Sequence, residues 1–170
     1  MEHKKALEIA EATLERLRPH CHRCEIAGSI RRMKPEVKDI EIVAIPKSFE
    51  VGLLESGIAS VVNTWECVKG HLLPFNGKGE LPCKYTQRIL PEGIKLDLFF
   101  ANKLNWGYIY AIRTGSSDFS RKVLATGWVK QGYKGIGGHL TLDGKIVPVP
   151  EESDLFRILG IPYANPQHRL

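Results

Sequence analysis

The sequence predicts an α+β protein: a lobe of mixed sheet and helices, then a smaller α+β lobe. Three observations predict it. An amphipathic helical pattern opens the chain. Short apolar segments of period 2, punctuated by glycine and proline, follow it. After residue 105 the pattern changes to helices around a second hairpin. The two units are placed at residues 1–105 and 106–170.

Residues 3–18 read as a helix, because Leu7, Ala10, Leu14 and Leu17 recur at three- and four-residue steps. Pro19 ends it. Glu25-Ile26-Ala27 is a short strand approach to Gly28-Ser29, and residues 39–45 (DIEIVAI) alternate as a strand closed by Pro46. A helix is expected over 48–62, weakened by Gly52 and Gly57, then a strand over 65–69 and a glycine-rich loop at 76–80. Residues 84–90 and 94–100 form a hairpin about Pro91-Glu92-Gly93. Residues 106–112 fit either a helix or a strand. Thr114-Gly115-Ser116-Ser117 is a break with two helix-capping serines, and 117–131 is a helix with Phe119, Val123, Leu124 and Trp128 on one side. Asp143-Gly144 turns a hairpin between His139 and Val149, and a short helix over 152–159 ends at Gly160.

Composition is that of a folded chain, 43% hydrophobic and 25% charged, without an apolar run long enough for a membrane span. No secretory signal is expected either, since no apolar stretch follows the basic residues at the start. The expectation is a cytoplasmic monomer with no membrane partner. A net charge of +5 suits a polyanionic partner. Cys21-x-x-Cys24, beside His20 and His22, has a zinc-ligand spacing. Cys67 and Cys83 form no second close pair, however, and Cys24 opens a strand, so ordinary thiols in a reducing compartment are expected.

Asp39 and Glu41 carry the chemistry. In a strand they share one face, roughly 6–7 Å apart at Cα. Ile40 and Ile42 point the other way. Like charges held that close repel, and burial raises at least one pKa. A hard divalent cation relieves both problems, and Asp97, in the apolar run IKLDLFF, is the candidate third ligand. Two ions bridged by carboxylates suit in-line phosphoryl displacement. Gly28-Ser29 allows close backbone approach to phosphate, and Arg31 or Arg32 adds a permanent charge. Alone, each feature is ordinary: a turn, a solvated arginine pair, the wet face of a sheet. Their concentration in the 14 residues 28–41 favours the chemical reading.

These residues resemble a known signature. Gly28-Ser29-Ile30-Arg31-Arg32 with Lys38-Asp39-Ile40-Glu41-Ile42-Val43 resembles that of the family X DNA polymerases, the DNA polymerase beta-like group. Leu96-Asp97-Leu98 resembles their third acid strand, and Thr114-Gly115-Ser116 their hinge. Gln131-Gly132-Tyr133-Lys134, Asp154-Leu155-Phe156 and Leu159-Gly160-Ile161-Pro162-Tyr163 resemble their thumb and tail. The resemblance runs from about residue 5 to the end. It implies a nucleotidyltransferase-fold palm followed by a small thumb. It implies two Mg2+ ions on Asp39, Glu41 and Asp97, with Mn2+ an expected substitute. It implies that Gly28, Ser29, Arg32, Gly115, Ser116 and Ser120 hold a dNTP. Primer-template or gapped DNA would lie on Arg121, Lys122, Lys130, Lys134 and the basic loop 69–84. The hinge peptide Gly115–Ser116 would be cis.

The sequence departs from the pattern in several places. Glu41 stands where aspartate is usual, Lys38 where glycine is frequent, and Ser120 where asparagine is frequent. Ile112-Arg113 replaces an aromatic pair, which implies weaker discrimination against ribonucleotides. One extra residue falls near 125–127. With only 27 residues before Gly28, no lyase domain is expected, as in the shortest viral members. The small size leans to a viral or phage source. The expected activity is template-directed addition of dNMP to a primer 3′-hydroxyl with release of pyrophosphate, filling short gaps in repair. The alternative is a template-independent nucleotidyltransferase acting on a nucleic acid end or a small acceptor.

Overall fold

The computed structural model describes residues 1–49, 57–72 and 83–170. Helix α1 (His3–Leu17) buries Ala6, Ile9, Ala10, Leu14 and Leu17, while Leu7 packs only partly at the edge. Strand β1 (Cys21–Ile26) runs antiparallel to β2 (Asp39–Pro46), and between them lies the four-residue helix α2 (Gly28–Arg31). Residues three apart on a regular strand face opposite ways. A bulge between Cys21 and Arg23 resets the phase, so Cys21 and Cys24 both enter the core. Their thiols hydrogen-bond to each other, which lowers the Cys21 pKa and raises that of Cys24.

The larger sheet has five strands in the order β1-β2-β5-β4-β3, with β3 at Glu66–Lys69, β4 at Tyr85–Ile89 and β5 at Lys95–Phe100. β4 and β5 form the expected hairpin. β2 and β5 pair in parallel, which requires the long crossover through β3 and β4. Ile40, Ile42, Leu96, Leu98 and Phe100 face α1 and the short helix α3 (Ala59–Val62). Of the helix expected over 48–62, the described residues show Ala59–Val62 as helical; residues 50–56 and the loop 76–80 lie outside the described residues. On the opposite face, Val43 and Phe99 pack with Ala27, Trp106 and Tyr110.

Residues 106–112, open on sequence alone, belong to helix α4 (Trp106–Thr114). The helix expected over 117–131 forms over residues 117–130, but Phe119–Ala125 is π-helical, between α-helical residues 117–118 and Thr126–Lys130 (α5). This corrects one apolar face. A π turn aligns residues five apart rather than four. Phe119 and Leu124 are therefore buried together, and Val123 is 39% exposed. The Gly115–Ser116 peptide is trans, not cis, as are all peptides of the described residues.

A three-stranded sheet follows: β6 (Lys134–Ile136), which periodicity did not reveal, β7 (His139–Leu142) and β8 (Lys145–Val147). Asp143 (φ 48°) and Gly144 (φ 74°) both adopt the left-handed conformation that a tight two-residue hairpin needs. Helix α6 (Glu152–Leu159) ends at Gly160 as expected. Among the described residues no helix is long and apolar enough to cross a membrane.

One buried ion cluster ties distant segments together. Arg31 of α2 donates two hydrogen bonds to Glu152, at 2.8 and 2.7 Å. Arg169, with no exposed surface, donates to the same carboxylate at 2.5 Å. Burial pushes the Glu152 carboxyl up, but the bonds from Arg31 and Arg169 outweigh it and hold the group below its ordinary range. Removing the acid leaves two guanidiniums without their carboxylate. Glu152→Ala is expected to lower unfolding free energy by about 3–5 kcal/mol, read from urea midpoints; a loss under about 1 kcal/mol would mean the cluster is not a structural tie.

Candidate active site

Asp39 and Glu41 lie on β2, and Asp97 lies on the adjacent strand β5. The parallel register sets Glu41 directly opposite Asp97, and Asp39 opposite Lys95. Neighbouring strands are about 4.8 Å apart, so the two carboxylates start from adjacent backbones on one face. Among the described residues none of the three makes an ion pair. Burial, then the Asp39 and Asp97 charges, push the Glu41 carboxyl up to about 7, against the pull of Arg32 and Arg113. Burial and then Asp97 also raise Asp39, with Lys95 and Lys38 opposing.

Two residues that the sequence did not single out hold Asp97. The Tyr85 hydroxyl donates to Asp97 Oδ1 at 2.8 Å and Gln87 Nε2 donates at 2.7 Å. Gln87 is Asp97's partner across the β4–β5 hairpin, and Tyr85 projects from the same face of β4. Both use Oδ1, so neither engages Oδ2. Burial and the bond to Asp97 raise the Tyr85 pKa, keeping the phenol a donor.

Gly28 has φ 61°, and a Cβ there would lie 1.9 Å from Glu41 Oε2. The missing side chain is thus the space that the Glu41 carboxylate occupies. α2 sits on β2 through the Ala27 N–H bond to the Glu41 carbonyl, 2.8 Å. This brings Ser29 and Arg32 beside the acids. Ser29 Oγ and Arg32 Nε are buried with no hydrogen-bond partner, while Arg32 Nη1 donates to the Thr114 carbonyl at 2.6 Å. Arg31 points away, donating to Thr114 Oγ1 and to Glu152.

The other expected residues are placed as follows. Ser116 Oγ accepts the Phe119 N–H at 3.0 Å, a helix-capping bond. Ser120 Oγ donates to the Ile112 carbonyl at 2.8 Å, and a Cβ on Gly115 would lie 2.7 Å from that hydroxyl, so Ser120 is engaged within its own segment. Arg121 and Lys122 are solvent-facing and both pair with Asp118, at 3.2 and 2.7 Å. Lys130 and Lys134 are exposed. Beside the acids is a cleft of about 580 Å³ lined by Lys84, Tyr85, Phe99, Asn105, Arg113 and His139.

The donor set suits a hard cation: three carboxylates, mutually repelling and, among the described residues, in no ion pair. As they stand, the side chains do not close on one point, and among the described residues no three His, Cys, Asp or Glu side chains form a group able to hold an ion. That statement covers Cys21 and Cys24 as well as the acids. Glu41 lies back over Gly28 and Asp97 is held by Tyr85 and Gln87, so closure needs side-chain rotation from strands already in register.

The raised Glu41 pKa makes ion-free stability pH-dependent. The protonated form favours the folded state, so the contribution is full below the unfolded value of 4.5 and is lost as pH rises through about 7. Ion-free protein is expected to lose about 3 kcal/mol across that window. Glu41→Gln should abolish this part of the slope, measured by urea unfolding from pH 4 to 8 in chelator; an unchanged slope in the variant would rule out Glu41 as its source. No family model matches the chain, and no curated protein matches it.

Proposed function

We propose that the chain is a template-directed DNA polymerase of the family X type, with a nucleotidyltransferase-fold palm and a small thumb. The observation that carries it is the parallel register of Glu41 with Asp97, Asp39 beside them, and, among the described residues, no ion pair on any of the three. The unpartnered Ser29 Oγ and Arg32 Nε next to those acids support it.

Asp39, Glu41 and Asp97 would hold two Mg2+ ions, which supply charge neutralisation for the attacking 3′-hydroxyl and the departing pyrophosphate. The protein residues do the rest. Tyr85 and Gln87 orient Asp97. The Thr114 carbonyl orients Arg32, which, with Ser29, binds the β and γ phosphates of a dNTP. The trans hinge and capped helix start at Ser116 carry Arg121 and Lys122 outwards, where a DNA backbone would compete with Asp118 for them. Lys130 and Lys134 extend the same basic surface.

Primer extension with Mg2+ on a labelled primer tests the reaction. Template-ordered extension is expected, falling roughly a hundredfold or more in Asp97→Ala. Extension that ignores the template would identify a terminal or small-acceptor transferase instead. No extension at all would sink both readings.

The DNA surface is tested separately. Lys122→Glu with Lys130→Glu should weaken primer-template binding and reduce the slope of log K against log salt by about 2. An unchanged slope would move the DNA to another face.

A further inference from the structure

Arg113 lines the cleft, and no residue role above uses it. Its guanidinium carbon lies 4.0 Å from the centre of the Phe99 ring. Phe99 is two residues beyond Asp97 on β5, hence on the same face of the sheet as Asp97 and Glu41. Arg113 Nε is buried with no hydrogen-bond partner. Burial lowers the pKa of the guanidinium, and the charges of Glu41 and Asp97 oppose that shift. Among the described residues it forms no ion pair.

The other cations about the acids are placed differently. Arg32 acts on Glu41 and Asp39 but is anchored to the Thr114 carbonyl. Lys38 and Lys95 act on Asp39. Arg113 alone of these serves the Glu41–Asp97 pair while being held by a ring face, an attraction that does not fix the guanidinium in one place. A divalent ion on those carboxylates would sit close to it with like sign, and at such range repulsion is strong. Arg113 also lines the cleft of about 580 Å³ with Asn102, Asn105 and His139, so there is room to move away from the acids.

We propose that Arg113 is the resident counter-cation of the carboxylate site, stacked on Phe99 in the ion-free protein and displaced towards the cleft by an incoming divalent ion, so that its charge sets the site's metal affinity. This rests on the reading of Asp39, Glu41 and Asp97 as metal ligands. It makes Arg113 a positioning residue, not a catalytic one. The metal-free carboxylates then keep one protein cation nearby, and loading the ions moves it away.

The test is calorimetric titration of the full chain with Mg2+ alone, without nucleotide or DNA. Arg113→Gln, which removes the charge, should bind Mg2+ roughly tenfold more tightly than wild type. Arg113→Lys, which keeps the charge but loses the planar stack, should stay within about twofold. Equal or weaker binding by Arg113→Gln, with clear binding by wild type, overturns this inference and leaves the two-ion reading standing. No binding by wild type overturns both. If Arg113→Gln fails to fold, wild-type protein labelled with 15N-arginine decides the matter. The Arg113 Nε–H resonance, shifted by the Phe99 ring and assigned by its loss in Arg113→Lys, should move with the calorimetric midpoint; a resonance that stays in place overturns the inference.

Discussion

The arrangement depends on one strand pairing. β2 and β5 run parallel in a register that sets a glutamate against an aspartate. Like charges facing each other across neighbouring strands destabilise a sheet. Here the cost is met on the opposite face, where Ile40, Ile42, Leu96 and Leu98 are fully buried. The same alternation that puts four apolar side chains into the core puts the carboxylates together outside it. Moving either strand by one residue would bury the acids and expose the isoleucines. The site is thus tied to the same alternation that builds the core.

Two consecutive arginines then divide the work of holding the chain around that pairing. Arg31 turns away from the acids into Thr114 and Glu152, and Arg32 turns towards them while its end is tied to the Thr114 carbonyl. Thr114, fully buried, is the node that both share. A residue 82 or 83 positions along the chain therefore fixes the attitude of α2 over β2. Gly28 completes the fit by leaving the Glu41 side chain its space.

The period-2 runs of β2 and β5, the Asp143-Gly144 turn and the Gly160 stop were legible because each depends on local backbone preference. So were the acids, through their spacing. Tyr85 and Gln87 were not, because a donor to Asp97 is defined by hairpin register, and nothing in KYTQRIL marks one polar residue as facing a carboxylate. Arg31's true partner was hidden for the same reason, lying 121 residues away. Val123 was misplaced because a 3.6-residue period cannot anticipate a π turn. Arg113 was legible only as a departure from a pattern; its stacking on Phe99 required the fold.

The cluster around Glu152 has a consequence for how the molecule is made. Arg31 is synthesised early, Glu152 late, and Arg169 seventeen residues after Glu152. While the chain emerges from a ribosome, α1, β1 and β2 can associate first, but β2 has no parallel partner until residue 100 is free. α2, poised above the acids, then waits for its anchor. Until Arg169 is out, Glu152 has one guanidinium donor rather than two. The anchor of α2 over β2 is therefore completed by residues translated long after α2 itself.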